Sequence, residues 1–362
     1  MYDFKELDIE AYYRNPQGYL LADVRSPGEY LEDHIQGAVS IPLFTDDQRA
    51  FTGTLYKQEG AKAAKRAARD LILSRMPGML RELDELKKAG GGRKLLIYCA
   101  RGGDRSAVTA TFLAMESSDT CRLTGGYKAY RRYVLDYFNN GPPWDVISLY
   151  GHTGTGKTEL LQRLKDMGLP VIDLEGLAGH RGSVFGHVGL APQPSQKRFD
   201  TLLFEALRGL SEGRCIVEGE SKKIGRIYIP DSFYARMVQG VALLAKGSMK
   251  ARIQRIIREY GGFLEENSSE ILGAISCLKD QLGNRVVEEL SRQYKEKELE
   301  SLVAYLLKEY YDPLYDRNRK AARPYSGIYE TDDQEACARE IADGFSAGWP
   351  EEIGKEVSDW AI

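Results

Sequence analysis

The chain has 362 residues, of which 43% are hydrophobic and 28% are charged, a balance typical of a soluble globular protein with about two domains. The formal net charge of −3 excludes a uniformly basic nucleic-acid binder, although it leaves room for a local basic surface. The sequence has no apolar run of about 18 residues and no signal-peptide pattern at its start, so we expect a cytoplasmic protein without a membrane span.

The cysteines are scattered along the chain, at positions 99, 121, 215, 277 and 337. An odd number without close pairs predicts neither a disulfide framework nor a CxxC metal site. The pattern suits a reducing compartment, in which a single thiol is available for chemistry.

The amino-terminal part alternates short apolar runs with helix-like stretches. The runs "YLLADV", "AVSIPL" and "KLLIYC" predict strands, and residues 77–89 have the apolar spacing of a helix. This alternation predicts an α/β domain with a parallel sheet. Asn, Gly and Pro cluster in residues 138–145, so we assign residues 1–140 to the first domain.

A glycine-rich loop, "CARGGDRS", follows the third of these strands. Gly102 and Gly103 allow a tight turn whose backbone N–H groups, together with the start of the next helix, form a nest that stabilises an anion. That anion can be the thiolate of Cys99, and Arg101 and Arg105 add positive charge, so we expect these three residues to be catalytic. The alternative is a buried and inert cysteine.

The spacing from Cys99 to Arg105 fits two chemistries, that of tyrosine phosphatases and that of rhodaneses, whose loop cysteine carries a sulfur or selenium atom. The stretch "LLADVRSPGEYLEDHIQGAVSIP" and the later "LTGGYKAYR" resemble the rhodanese pattern, and Tyr98 stands where phosphatases normally have His. The resemblance implies a rhodanese-like domain, in which Asp23, Arg25 and His34 belong to the scaffold.

After the boundary, the predicted strand "DVISLY" leads into "GHTGTGKT", a complete G-x-x-x-x-G-K-[ST] motif, and then into a predicted helix. Loop N–H groups of such a motif surround phosphate oxygens, the lysine adds positive charge, and the Thr158 hydroxyl is offered to Mg²⁺. We therefore assign residues 141–362 to a P-loop NTPase-like α/β domain. The predicted phosphate-binding residues are Gly151, Gly154, Gly156, Lys157 and Thr158.

Two acids, Glu218 and Glu220, end the apolar run "CIVEGE", where P-loop proteins keep the carboxylate that holds metal-bound water. Either residue suits that role, so both are assigned to the cofactor site. The alternative is that they are solvated carboxylates at the end of a strand.

A loop-like stretch, "DLEGLAGHRGSVFG", follows the second strand of this domain and so is expected near the phosphate site. We predict that its polar residues His180, Arg181 and Ser183 bind substrate. The alternative is a solvated connection.

The rest of the domain is predicted to be mostly helical from about residue 232 to 312, where apolar residues recur at i, i+3 and i+4. A strand and a helix follow in residues 325–345, and Thr331 and Gln334 have the spacing of a capping box.

The order of five motifs resembles the tRNA 2-selenouridine synthase family: "CARGGDRS", "GHTGTGKT", "DLEGLAGHRGSVFG", "QPSQKRFD" and "VEGESKKIGRIYIP". The resemblance extends to about residue 316, and "GTLYKQEGAKAA" also looks like a family stretch. The chain departs from the family at Ala100, usually Trp, at Asp104, usually Met, and at Gly219, commonly Asp.

The resemblance implies conversion of 2-thiouridine to 2-selenouridine at the wobble position of tRNA, through an S-geranyl intermediate. Geranyl diphosphate and selenophosphate are then co-substrates, the latter supplied by a selenophosphate donor system. In this interpretation Cys99 carries selenium as a selenyl-sulfide, while Lys157, Thr158 and Mg²⁺ hold the diphosphate.

Such an enzyme needs a basic surface for tRNA. The stretch "KGSMKARIQRIIREY" places Arg252, Arg255 and Arg258 broadly on one side of a helix, so Arg252 and Arg255 are predicted to bind RNA phosphates. A solvated helix face is the alternative.

Two other functions stay open at this stage. The first is a rhodanese-regulated P-loop kinase or NTPase, which would turn over ATP without RNA. The second is a sulfur or selenium carrier without enzymatic activity, for which Lys157 would be irrelevant.

Overall fold

The computed structural model describes residues 4–115, 119–141, 144–210, 213–261, 267–319 and 324–349, with the backbone alone for residues 317–319. The chain forms two compact units, the first made of Met1–Asn140 with Ser195–Glu205 and the second of Gly141–Pro194 with Ala206–Ile362. Each unit contains a five-stranded parallel sheet with helices, so the predicted α/β class is confirmed. Within the described ranges, no helix is long and apolar enough to cross a membrane.

The sheet of the first unit has the strand order β1-β5-β4-β2-β3, with all neighbours parallel. Its strands are β1 (Lys5–Leu7), β2 (Tyr19–Asp23), β3 (Val39–Ser40), β4 (Lys94–Tyr98) and β5 (Thr120–Leu123). The accompanying helices are α1 (Ile9–Arg14), α2 (Pro27–Glu32), α3 (Asp46–Glu59), α4 (Ala61–Ala89), α5 (Asp104–Ala114) and α6 (Gly126–Asn139). Strand β4 lies in the middle, and its buried "LLIY" reflects apolar packing on both faces of the sheet.

The sheet of the second unit has the order β12-β11-β6-β8-β7 and is also parallel. Its strands are β6 (Asp145–Tyr150), β7 (Val171–Ile172), β8 (Arg214–Glu218), β11 (Val241–Lys246) and β12 (Gly327–Glu330), while β9 (Lys223–Ile224) and β10 (Ile227–Tyr228) form a separate antiparallel pair. Strand β6 occupies the middle of this sheet, as β4 does in the first unit.

The second half of the chain contains eleven α-helices within its described residues. They are α7 (Lys157–Asp166), α8 (Leu174–Ala178), α9 (Gln196–Gly209), α10 (Asp231–Gln239), α11 (Met249–Gly261), α12 (Ser268–Ser276), α13 (Lys279–Leu282), α14 (Asn284–Lys295), α15 (Leu299–Tyr305), α16 (Asp312–Arg319) and α17 (Gln334–Ala347). A π-helical turn, Leu306–Tyr311, joins α15 to α16, and the residues of α9 up to Glu205 belong to the first unit.

Two expectations about local structure differ from the structure. The segment predicted to be helical, 232–312, contains strand β11, which lies between β6 and β12, because the short apolar run "VALLA" after Gly240 fits a buried strand as well as a helix. The predicted capping box at Thr331 and Gln334 is not formed. Asp333 caps α17 instead, and its Oδ1 accepts from the backbone N–H groups of Glu335 and Ala336.

Helices α11 to α16 build an apolar core of their own beside the sheet. Ile275, Leu278 and Leu307 are fully buried in it, and Ile256 and Leu314 pack against it. This helical core forms one wall of the cavity described below.

Candidate active sites

The predicted cysteine loop lies between β4 and α5 in the first unit. Cys99 directly follows the central strand, and its Sγ is 3.1 Å from the Ser106 Oγ. The residue is 3% exposed and belongs to the hydrophobic core, so the thiol is covered in this conformation. The loop is therefore in the predicted place, but its sulfur is less accessible than the sequence suggested.

Glycines hold the cysteine loop against the start of α6. Gly102 and Gly126 both have positive φ values, +62° and +58°. A Cβ at Gly126 would lie 2.2 Å from the Cys99 carbonyl oxygen and 2.5 Å from the Gly102 nitrogen. The Tyr127 N–H donates to the Cys99 carbonyl at 2.8 Å. The rhodanese-like stretch "LTGGYKAYR" thus fixes the shape of the loop by close backbone contact.

Two of the three charged residues of the loop, Arg105 and Asp104, form ion pairs. The Arg105 guanidinium donates to both oxygens of Glu29, at 2.6 and 3.1 Å. Burial alone would raise the pKa of Glu29, but the bonds from Arg105 lower it to about 2. Arg101 is exposed, and Asp104 is 3.2 Å from the Lys65 ammonium in an exposed ion pair. The negative charge of Asp104 therefore points to solvent beside a cation.

Neighbouring polar residues form a rigid support for this loop. Arg25 donates to Asp23 through two nitrogens and to the Asp33 carbonyl at 2.6 Å, and its guanidinium carbon is 4.0 Å from the centre of the Tyr127 ring. The His34 Nδ1 donates to the Tyr30 carbonyl at 2.9 Å. These contacts agree with scaffold roles for Asp23, Arg25 and His34.

The phosphate-binding loop connects β6 to α7 in the second unit, as the sequence predicts. Gly154 and Gly156 have φ values of +80° and +83°, which favour glycine. A Cβ at Gly151 would lie 2.7 Å from the Ala245 carbonyl oxygen. The Lys157 Nζ donates to the Gly151 carbonyl at 2.9 Å, a bond to a neutral group that an anionic ligand can replace.

The acids beside this loop divide into two kinds. Glu218 is fully buried, its Oε2 accepts from the Leu174 N–H at 2.8 Å, and burial, reinforced by Asp173, raises its pKa well above the usual value. It anchors the start of α8 and does not line the cavity. Glu220 lines the cavity together with Glu175, which the sequence analysis did not single out.

Glu175 lies beside the predicted metal ligand, Thr158. Its Oε2 is 3.5 Å from the Thr158 Oγ1. Burial, and then Glu220, raise the pKa of Glu175 to about 8, although Lys157 acts in the opposite direction. Its place just after strand β7 is the signal that could have identified it, because parallel strands bind ligands at their carboxyl ends.

Two glycines make room for these acids. A Cβ at Gly182 would lie 2.8 Å from the Glu175 Oε1 and 2.9 Å from the Glu220 Oε2. A Cβ at Gly219 would lie 2.4 Å from the Tyr150 ring. The departure from the family pattern at Gly219 is thus matched by an aromatic ring in the space that a side chain would need.

The predicted substrate residues of the third stretch have different surroundings. Arg181 and Ser183 line the cavity, and Arg181 pairs with Glu259 at 2.7 Å. His180 does not line the cavity. Its buried Nδ1 has no hydrogen-bond partner among the described residues, and burial, with the nearby His187, lowers its pKa.

Arg252 and Arg255 face the phosphate loop. Arg252 is 4% exposed, donates to the Thr153 carbonyl at 2.9 Å and forms a two-bond ion pair with Asp312. Arg255 donates to the Thr155 carbonyl at 3.2 Å and to Thr331. Neither side chain forms the exposed basic face predicted from the sequence, because the loop carbonyls attract both guanidinium groups into the protein.

A cavity of about 1090 Å³ opens from the phosphate loop into the helical core of the second unit. This volume is slightly above the usual range for small-molecule sites, about 300–1,000 Å³. Its polar end contains the loop, Glu175 and Glu220. Its other end is lined by Ile256, Ile257, Ile271, Leu299, Leu302, Val303, Leu306, Leu307, Leu314 and several tyrosines.

The polar end has the chemistry of a magnesium site that phosphate completes. Thr158, Glu175 and Glu220 offer oxygen donors, which Mg²⁺ prefers. No group of three His, Cys, Asp or Glu residues in the described part of the chain is arranged to hold a metal without further ligands. These three residues could hold Mg²⁺ only together with further oxygen ligands, such as those of a phosphate group.

The two loops and their sheets define the class of this protein, a rhodanese-like domain joined to a P-loop domain. Family models agree: a rhodanese-like domain matches residues 10–133, and a tRNA 2-selenouridine synthase AAA domain matches residues 144–344. The chain belongs to the tRNA 2-selenouridine synthase family.

Two relatives support this assignment. The chain is 32% identical to a tRNA 2-selenouridine synthase from Psychromonas ingrahamii over 82% of this chain and 86% of the relative. It is also 32% identical to one from Hydrogenovibrio crunogenus over 86% and 92% of the two chains. Among solved structures, 36% of the chain is similar to 99% of the N-terminal domain of a candidate ATP/GTP-binding protein from Clostridium difficile 630, with 35% identity and a TM-score of 0.34.

Proposed function

We propose that this chain converts 2-thiouridine to 2-selenouridine at the wobble position of tRNA, through an S-geranyl intermediate. Family membership supports the overall reaction. The observation that carries the geranyl step is the cavity, which joins a phosphate-binding loop to a pocket of leucine and isoleucine side chains. The loop suits the phosphates of either a nucleotide or a prenyl diphosphate, and the leucine and isoleucine end matches the hydrocarbon chain of a prenyl diphosphate.

In the first step, geranyl diphosphate binds with its diphosphate at the loop and its hydrocarbon chain between α11, α15 and α16. Lys157 exchanges its bond to the Gly151 carbonyl for phosphate oxygens, and loop N–H groups donate to the same anion. Mg²⁺ held by Thr158 and the neighbouring acids would neutralise the charge of the leaving diphosphate. The thiouridine sulfur forms a bond to geranyl C1 as the C1–O bond breaks, and the N3 proton of the base is released.

The second step takes place at Cys99, and its electrons must balance. A selenyl-sulfide formed from selenophosphate with release of phosphate requires a two-electron oxidant, so we favour a route without one. The thiolate adds to C2 of the geranylated base, the bond from C2 to the geranyl-bearing sulfur breaks, and a proton from solvent converts the leaving thiolate to geranylthiol. Selenium of selenophosphate then attacks C2 and displaces the Cys99 thiolate, and water cleaves the P–Se bond to release phosphate.

This step requires a change at the cysteine loop, because the thiol is 3% exposed. Gly103 is exposed and a Cβ there would touch nothing within 4 Å, so the solvent side of the loop has room to move. We propose that binding of the tRNA base opens this side of the loop.

The test is product analysis by mass spectrometry after incubation with thiolated tRNA, geranyl diphosphate and selenophosphate. The unaltered protein should give geranylated and then selenated uridine. Lys157→Ala should give neither, and Cys99→Ser should stop after geranylation. Lys165→Ala, on the exposed side of α7, and Cys121→Ser, on β5, are the matched controls. If Lys157→Ala and Cys99→Ser lose the same step, the division between the two loops is wrong. Turnover of ATP without RNA would instead support a kinase or NTPase.

A further inference from the structure

A tRNA substrate needs a basic surface, and Arg252 and Arg255, the α11 residues predicted to bind RNA, are directed to the phosphate loop instead. The helical pair α3 and α4 of the first unit offers one. Between residues 57 and 69 the chain has five basic residues and one acidic residue, in a protein whose net charge is −3. Local charge of this sign favours a polyanionic partner.

Four of these residues share one face of α4. Lys62, Lys65, Arg66 and Arg69 follow the spacing i, i+3, i+4 and i+7, and all four are exposed. Lys62 and Arg66 have no carboxylate partner among the residues that the structure describes. We call these four residues the α4 basic face.

Helix α3, which directly precedes α4 in the chain, carries exposed aromatic side chains. Helix α3 buries none of its residues, and Phe51 and Tyr56 on it are 54% and 61% exposed. Large rings in water are unfavourable unless a partner covers them, and unstacked RNA bases stack on such rings. A basic and aromatic surface fits RNA better than it fits an acidic protein segment, which would use the charges alone.

The helical pair also borders the cysteine loop. Lys65 pairs with Asp104, the first residue of α5, at 3.2 Å. Arg49 on α3 is 3.8 Å from Glu29, the carboxylate that holds Arg105. RNA bound along α4 would therefore lie next to the loop that contains Cys99.

We propose that the α4 basic face, with Tyr56 and Phe51, binds the tRNA backbone and an unstacked base beside the cysteine loop. The proposal rests on the proposed function in that its partner is tRNA. It assigns that partner to a surface that the sequence analysis did not consider for RNA.

The test compares two triple variants in tRNA binding by fluorescence anisotropy over a salt series. K62A/R66A/R69A removes three charges from the α4 basic face, and R14A/K94A/R132A removes three exposed charges of the first unit that lie outside α3 and α4. Each phosphate contact contributes about 0.7–0.9 to the slope of log K against log salt, so the first variant should lose about 2–3 from the slope. The control variant should keep the slope of the unaltered protein.

Separate results identify which idea fails. If the unaltered protein binds no tRNA, the proposed function is wrong. If it binds tRNA and K62A/R66A/R69A keeps the same slope, the surface is wrong and the function stands. Tyr56→Ala, which changes no charge, should weaken binding at every salt concentration, and unchanged binding would exclude base stacking there. The midpoint of thermal unfolding shows that each variant is folded, and the single variant Arg66→Ala replaces the triple variant if it is not.

Discussion

The loops after β4 and β6 begin alike and end differently. Each leaves the central strand of a five-stranded parallel sheet, turns on glycines with positive φ, and enters a helix. The cysteine loop is closed by Gly126 and leaves Cys99 3% exposed, whereas the phosphate loop opens on a cavity of about 1090 Å³. The same backbone arrangement thus yields a covered nucleophile in one unit and an open anion site in the other.

The two loops also differ in the group that their positively charged side chain contacts. Arg105 is paired with the Glu29 carboxylate, while Lys157 donates to a backbone carbonyl. An incoming anion must displace a full negative charge in the first case and a neutral dipole in the second. Anion binding should therefore be strong at the phosphate loop and weak at the cysteine loop.

The largest expected effect on ligand affinity comes from the loss of the Lys157 side chain. Lys157→Ala should weaken geranyl diphosphate binding about 100-fold, because a charge-assisted hydrogen bond to phosphate is worth about 2–3 kcal/mol. Isothermal titration calorimetry measures the change, with Lys165→Ala as the control. A loss below about threefold would mean that the diphosphate binds elsewhere.

The second effect separates the two ends of the cavity. Leu314→Ala should weaken geranyl diphosphate about tenfold, since each buried CH₂ contributes about 0.8 kcal/mol. Binding of inorganic diphosphate should not change. Leu73→Ala, an exposed leucine of the first unit, is the control. Equal losses for both ligands would show that the variant damages the loop and would remove the evidence for a prenyl chain.

The third effect is a few-fold change with pH in the affinity for geranyl diphosphate. Without divalent cations, affinity for geranyl diphosphate should fall as pH rises through about 8, because deprotonation of Glu175 places a negative charge beside the ligand. Glu220→Gln removes a carboxylate that raises the pKa of Glu175, so the fall should move to lower pH. Glu175→Gln should flatten the profile, and a profile that is unchanged in both variants would contradict this assignment.

The smallest effect concerns the stability of the cysteine loop. The pKa of Glu29 is lowered to about 2, so its pair with Arg105 stabilises the fold above about pH 4.5 and loses this effect as pH falls towards 2. Glu29→Gln should cost about 1 kcal/mol at pH 7, because the pair is only partly buried, and less at pH 4. Urea unfolding at both pH values measures this, and a cost that does not depend on pH would assign the effect to packing.

The strands and loops of both sites were readable from the sequence, because each site is local. "LLIYC" before two glycines, and "DVISLY" before the phosphate motif, contain the strand, the turn and the helix start in one stretch. The family resemblance then predicted a single reaction to which both halves of the chain contribute.

The cavity could not be predicted from the sequence. Its apolar wall comes from helices that are spread over more than 60 residues, and the spacing of their apolar residues is also typical of an ordinary core. Glu175 and the inward direction of Arg252 depend on contacts between distant segments, Thr158 with Glu175 and Thr153 with Arg252. A sequence pattern shows which residues share a helix face but not which face meets the loop.

The most direct test of the account is the reactivity of the Cys99 thiol. Iodoacetamide labelling near pH 7, followed by peptide mass spectrometry, compares Cys99 with Cys121, a buried thiol of the same unit, while exposed Cys277 reports ordinary access. Cys99 should be labelled faster than Cys121, and thiolated tRNA should raise the labelling rate of Cys99 because it opens the loop. Labelling of Cys99 as slow as that of Cys121, with and without tRNA, would contradict a nucleophile in this loop.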